Sequence, residues 1–147
     1  MSFFRRRNNV STSAPESLDA ETLLEQHKRG EMDDNTFLIA FGKADIFYST
    51  PFGDHKDGGS RLFALPDKDN TGFLPVFISA ERASGFYDKA GRCGFLVMEG
   101  SFKSFLEITR GMNRGKTPVK LGAVIEPGYY GITVGASMLD AAIRMMK

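Results

Sequence analysis

Two short strings in this chain carry the residue types of ligand-binding loops, and their spacing decides against both. Gly111-Met-Asn-Arg-Gly115-Lys116-Thr117 has the glycines, lysine and hydroxyl of a phosphate-binding loop. That loop needs four residues between its glycines, a strand before it and a helix after it. Here three intervene, a helical pattern precedes, and Pro118 leads into an extended run, so the string reads as a helix end followed by a basic turn. Asp67-Lys-Asp69-Asn-Thr71-Gly72 begins like a calcium loop, but the position that should hold a bidentate Glu is Ile78. A turn between strands accounts for each of its residues.

The other reactive residues are sparse. His27 lies in an acidic helical stretch and His55 in a glycine-rich one, and neither has further ligands at a metal-binding spacing. Cys93, the single cysteine, needs a base from elsewhere in the fold to act as a nucleophile. At the head of the apolar run Cys93–Met98 it reads as a buried, inert thiol. Glu99 and Glu126 end strands, and nothing in the sequence pairs them. No catalytic, cofactor-binding or metal-ligating set is assigned, and no cofactor is expected.

The candidate partner-binding residues are charged. Arg110, Arg114, Lys116 and Lys120 cluster at one end of the sequence pattern and suit an anion or an acidic partner. Arg110 and Arg114 also suit the negative C-terminal end of their own helix. Asp33 and Asp34 belong to an acidic end spanning Glu16 to Asp45.

Positioning these residues requires an α/β (α+β) domain. Residues 1–14 are polar and read as a flexible arm, leaving residues 15–147 as one domain. Pro15 opens a helix with Leu18, Leu23 and Leu24 that ends near Gly30. Asp33 or Asp34 caps a second helix carrying Phe37, Leu38 and Phe41. Strands are predicted over Asp45–Thr50, Arg61–Leu65 and Phe73–Ile78, with a loop at Gly53–Gly59, which suggests an antiparallel meander. Ser79 caps a helix to about Ala90. Cys93–Met98 reads as a strand covered on both faces. Ser101 caps a helix with Phe102, Phe105, Leu106, Ile108 and Met112 on its apolar side. Strands at Val119–Glu126 and Tyr129–Val134 flank a Pro127-Gly128 turn, and a last helix starts near Ser137. The mixed sheet is thus flanked by helices.

Composition bounds what such a domain does. At 147 residues one domain is the default, and 13 phenylalanines with no tryptophan supply the large core volume. A net charge of +1 argues against a dedicated nucleic-acid binder. That charge is unevenly spread: residues 16–45 carry eight acids against three bases, whereas residues 101–147 are basic. The lone cysteine fits a reducing compartment, no apolar stretch reaches the ~20 residues of a membrane span, and the cytoplasm is the expected location.

Two stretches together resemble a known bacterial family. Phe73-Leu-Pro-Val-Phe-Ile-Ser-Ala-Glu-Arg82 resembles the LPVFTSxER segment of the SseB N-terminal domain family. Gly122-Ala-Val-Ile-Glu-Pro-Gly-Tyr-Tyr-Gly-Ile132 resembles its second hallmark, an apolar strand ending in Asn-Pro-Gly before a short strand. Ala44-Asp-Ile-Phe-Tyr-Ser-Thr-Pro51 stands where that family has its VYVP-like strand. Here Ile78 replaces the usual Thr and Glu126 the usual Asn. The motif residues Pro75, Phe77, Ser79, Glu81, Pro127 and Gly128 have structural explanations: a strand position without an N–H, a core contact, a helix cap and a tight turn. The resemblance implies an SseB-like fold, and no established enzymatic activity follows from it. Similar domains near secretion and toxin–immunity systems point to protein binding.

The expected function is therefore a non-catalytic protein-interaction module, an adaptor, regulator or immunity-like protein whose partner is another protein. The alternatives are an enzyme or enzyme accessory in amino-acid or sulfur metabolism that depends on Cys93, and a small-ligand sensor with a pocket lined by Phe95 and Tyr130.

Overall fold

The computed structural model describes residues 19–68, 70–115 and 119–146. The expected arm, the expected helix start at Pro15, Asp69 and Lys116 lie outside them. Four helices begin where a side chain satisfies their free N–H groups. Asp19 accepts from the Thr22 amide ahead of α1 (Ala20–Lys28), and Asp33 from the Thr36 amide ahead of α2 (Asp34–Phe41). Ser79 does the same for α3 (Ala80–Lys89) and Ser101 for α4 (Phe102–Asn113). A serine cap of this kind contributes about 1 kcal/mol. The last helix, α5 (Leu139–Met145), follows a short 3-10 turn at Ala136–Met138.

The strands are β1 (Asp45–Tyr48), β2 (Phe52–His55), β3 (Ser60–Leu62), β4 (Leu65–Pro66), β5 (Thr71–Val76), β6 (Arg92–Cys93), β7 (Met98–Ser101), β8 (Lys120–Ile125) and β9 (Ile132–Val134). The largest sheet has the order β4-β5-β8-β9, parallel between β5 and β8 and antiparallel elsewhere. β3-β2-β6 and β1-β7 form two smaller antiparallel sheets. Phe47 and Phe77 exchange backbone hydrogen bonds of 2.7 and 2.9 Å, tying β1 to the chain just past β5.

An α+β class with mixed sheets is the arrangement the sequence pattern called for. Consecutive antiparallel pairing survives in the β2–β3 and β4–β5 hairpins, which lie in separate sheets rather than in one continuous meander. The first hairpin was hidden because Gly53–Gly59 reads as a loop. Its strand forms because the Arg92 side chain packs directly over Gly53, where a Cβ would sit 2.4 Å from Nε. Tertiary contact, not local propensity, makes β2.

Two further expectations change. Cys93–Met98 is not one covered strand: Gly94 turns the chain with φ +54°, and Leu96 is 82 % exposed. This segment instead connects two sheets and is held where Ser49 Oγ donates to the Leu96 carbonyl at 2.7 Å. Tyr129 and Tyr130 precede β9 rather than joining it, because their amides bond back to the Glu126 carbonyl at 3.0 and 2.9 Å.

The core lies between the large sheet and the helices. Leu23, Phe37, Phe41, Phe102, Leu106 and Ile143 share one buried cluster with Val76, Leu121 and Ile125. Each such side chain contributes roughly 1.5–3 kcal/mol by leaving water. Ile108, placed by periodicity on an apolar helix face, is exposed, and so is Met138 at the start of the last helical segment. Met138 falls in the 3-10 turn, where the helical period does not yet apply.

Candidate functional site

The parallel pair β5–β8 brings the ends of two distant segments together. β5 leads through Phe77, Ile78 and Ser79 into α3, and β8 leads through Glu126 into the Pro127-Gly128 turn. A crevice beyond the carboxyl ends of parallel strands, where their connections diverge, is a recurrent binding location in α/β sheets. Here the space is a groove of about 580 Å³ between α3 and the turn. Its walls include Phe77, Arg82, Gly85, Phe86, Lys89 and Tyr129.

Glu126 holds this end of the sheet together. It is 0 % exposed and has a left-handed backbone, φ +51°. One carboxylate oxygen accepts the Ile78 amide at 2.8 Å, bridging the end of β8 to the exit of β5. The other lies 3.3 Å from Arg82 Nη1, yet neither of these two buried atoms completes a hydrogen bond among the described residues. Arg82 Nη2 is 3.8 Å from Glu21 in α1, beyond hydrogen-bond distance. The guanidinium is 4.6 Å from the centroid of the Tyr129 ring, and the Arg82 side chain is 32 % exposed. Tyr129 itself is 62 % exposed, on a turn fixed by Gly128 at φ +90°. The arrangement is an aromatic–guanidinium platform with hydrogen-bonding capacity left over.

Behind it, Tyr130 Oη donates to Glu25 of α1, and Lys28 Nζ lies 5.6 Å from its ring centroid. That hydrogen bond, aided by burial, pushes the phenol up to about 12.

The motif residues meet here. Pro75 lies past the two-residue β4, so β5 needs no donor on that side at this position. Phe77 is buried, Ser79 caps α3, Glu81 is exposed in its first turn, and Pro127-Gly128 forms the turn beside the groove. The two stretches that carry the family resemblance are therefore neighbours in space.

The charged candidates lie elsewhere and are largely occupied. Arg110 bridges α4 to α5 through Asp140 at 3.3 Å. Lys120 Nζ donates to the Asn113 carbonyl at 2.7 Å, while the Asn113 side chain pairs with the Leu121 backbone. Arg114 is the exposed C-cap of α4. Asp33 caps α2, and the Thr36 amide holds its carboxyl below the ordinary carboxylate range. Asp34 Oδ1 lies 2.7 Å from His27 Nε2. These two rim a separate groove of about 260 Å³ against β9 and α5.

Of the reactive residues, Cys93 is exposed rather than buried, because its strand is a two-residue edge of the β2–β6 pair. His55 packs by Phe63 with its ring 6.3 Å away and turns Nδ1 toward Asp57. Glu99 is an exposed residue of β7. Phe95 stands 5.3 Å from the Tyr87 ring, so it and Tyr130 serve different clusters. Among the described residues, no three His, Cys, Asp or Glu side chains gather as metal ligands would, and no helix is long and apolar enough to cross a membrane.

Arg82 and Tyr129 were not singled out from sequence. The available signal was their position, each one or a few residues beyond a motif turn or cap, on two stretches that the resemblance already set apart. Comparison of the chain with family models, characterised proteins and solved structures finds no match.

Proposed function

We propose that this chain is a non-catalytic protein-interaction module and that the groove beside Tyr129 is its contact face. One observation supports this reading above the others. A largely exposed tyrosine lies 4.6 Å from an arginine that faces a buried carboxylate at the ends of β5 and β8. Tyrosine and arginine are the residue types that dominate binding energy at protein interfaces, and a fixed platform loses little entropy on docking. The engagement of Arg110 and Lys120 within the fold supports this groove over the basic cluster. Kinship with the SseB N-terminal domains belongs to the same proposal, supported by the meeting of the two motif stretches beside the groove.

The test is affinity capture from a lysate of the source organism, with the unmodified chain and Tyr129→Ala in parallel. One stoichiometric protein retained by the former and lost from the latter is the expected result. Equal capture by both chains moves the contact off this face, and capture of nothing removes the reading.

A further inference from the structure

Resting on that reading, one residue of the groove gives its occupant a chemistry. Gly85 is in the middle of α3, where glycine costs the helix roughly 1 kcal/mol against alanine. Packing among the described residues does not require it: a Cβ at this position meets none of their atoms within 4 Å. Gly53 and Gly122 are different, since there a Cβ would strike Arg92 at 2.4 Å or the Val134 carbonyl at 2.2 Å. The bare helix surface at Gly85 forms part of the groove wall, with Phe77 and Phe86 beside it. It is shaped to let another chain come close.

The charges along the same wall give the direction. Arg82 and Lys89 lie seven residues apart, about 10 Å along the helix at roughly 1.5 Å per residue. Glu81 stands at the Arg82 end, and Glu126 offsets part of the Arg82 charge. Lys89 forms no ion pair among the described residues, and it lies in the last turn of α3. The net positive end of the groove is therefore the Lys89 end.

We infer that the groove binds an acidic–apolar peptide segment of a partner protein. An apolar side chain sits over Gly85 against Phe86, and a carboxylate faces Lys89. About three extended residues cover the distance between Arg82 and Lys89 at roughly 3.3 Å per residue. A backbone carbonyl of the same segment meets the exposed part of the Arg82 guanidinium, which lies 4.6 Å from the Tyr129 ring centroid.

The experiment is panning of a phage-displayed library of random twelve-residue peptides on the full chain. Enriched peptides are then measured as free synthetic peptides against the chain, Gly85→Leu and Lys89→Glu. The expected outcome is enrichment of an Asp or Glu within three residues of an aliphatic or aromatic residue. Affinity should fall at least tenfold on Gly85→Leu, which fills the groove, and on Lys89→Glu, which reverses its charge. Thermal melts should show both variants folded. Enrichment without acidic bias, binding untouched by Gly85→Leu, or no enrichment overturns the inference. If Tyr129→Ala abolishes capture of a protein partner while the enriched peptides lack acid, the interaction face stands and only the chemistry assigned to its occupant fails.

Discussion

Two arginines divide the labour of this molecule. Arg92 is 4 % exposed and donates to the Thr50 carbonyl, to Thr50 Oγ1 at 2.8 Å and to the Phe52 carbonyl at 2.9 Å. It lies between the Phe63 and Tyr87 rings, each centroid 5.1 Å from its Cζ. Arg82 has one aromatic neighbour, a carboxylate at 3.3 Å and a buried Nη1 without a hydrogen bond. Arg92 also keeps one buried donor, Nε, without a partner, so the contrast lies in its three side-chain hydrogen bonds against none for Arg82 among the described residues.

The sharpest way to break this contrast is to remove each arginine. Arg92→Met should cost about 3 kcal/mol, because the buried guanidinium's three hydrogen bonds to Thr50 and Phe52 and its place between two aromatic rings are lost together. Arg92→Lys should recover little, since one ammonium cannot replace a planar fork between two rings. Urea unfolding measures both, and a loss for Arg92→Met below about 1 kcal/mol would remove the structural role.

A smaller effect belongs to the other pair, and it should be asymmetric. Arg82→Gln leaves the fully buried Glu126 carboxylate without its neighbouring charge, whereas Glu126→Gln leaves a guanidinium that water can reach. Arg82→Gln should therefore destabilise by roughly 2 kcal/mol and Glu126→Gln by roughly 1 kcal/mol. Equal losses would show that solvent reaches both partners alike.

The smallest effect is visible only in alkali and again separates the two neighbourhoods. Tyr130, behind Arg82, is raised from the ordinary tyrosine value near 10 to about 12 by its hydrogen bond to Glu25 and by burial. A group with a raised folded-state value contributes stability that is whole below about pH 10 and is lost as pH climbs through about 12. Tyr87, beside Arg92, is raised chiefly by burial. In melts taken from pH 9 upward, Tyr130→Phe should flatten the alkaline decline while the Tyr87 contribution remains. An unchanged decline would mean that the Tyr130–Glu25 contact does not persist in solution.

How much of this was legible in the sequence follows from how local each signal is. Caps need only a few neighbouring residues, so Asp33, Ser79 and Ser101 marked α2, α3 and α4 correctly. The apolar run Leu121–Ile125 marked β8 because a strand covered on both faces has one plain composition. The run Cys93–Met98 has the same composition and failed, since Gly94 breaks it and an apolar string alone does not reveal a turn. β2 was hidden because its cause, the Arg92 side chain, arrives from some forty residues away. The groove was hidden for the same reason: Arg82 and Tyr129 meet only through strand register. The charged clusters were easy to see in sequence; among their described members Arg110 ties α4 to α5, Lys120 donates to the end of α4 and Asp33 caps α2.

The bond from Glu126 to the Ile78 amide also sets an order of events during synthesis, because its partners are 48 positions apart. A ribosome completes α3, with Arg82, Gly85 and Lys89 in place, well before it reaches β8. Until Glu126 emerges, the helix has no opposite wall and Tyr129 does not exist. Closing so long a loop through a parallel pair is a late and slow step. On the proposed reading, recognition at this groove would be a readout of completed folding: a stalled or half-made nascent chain would present the helix without the wall that a partner needs.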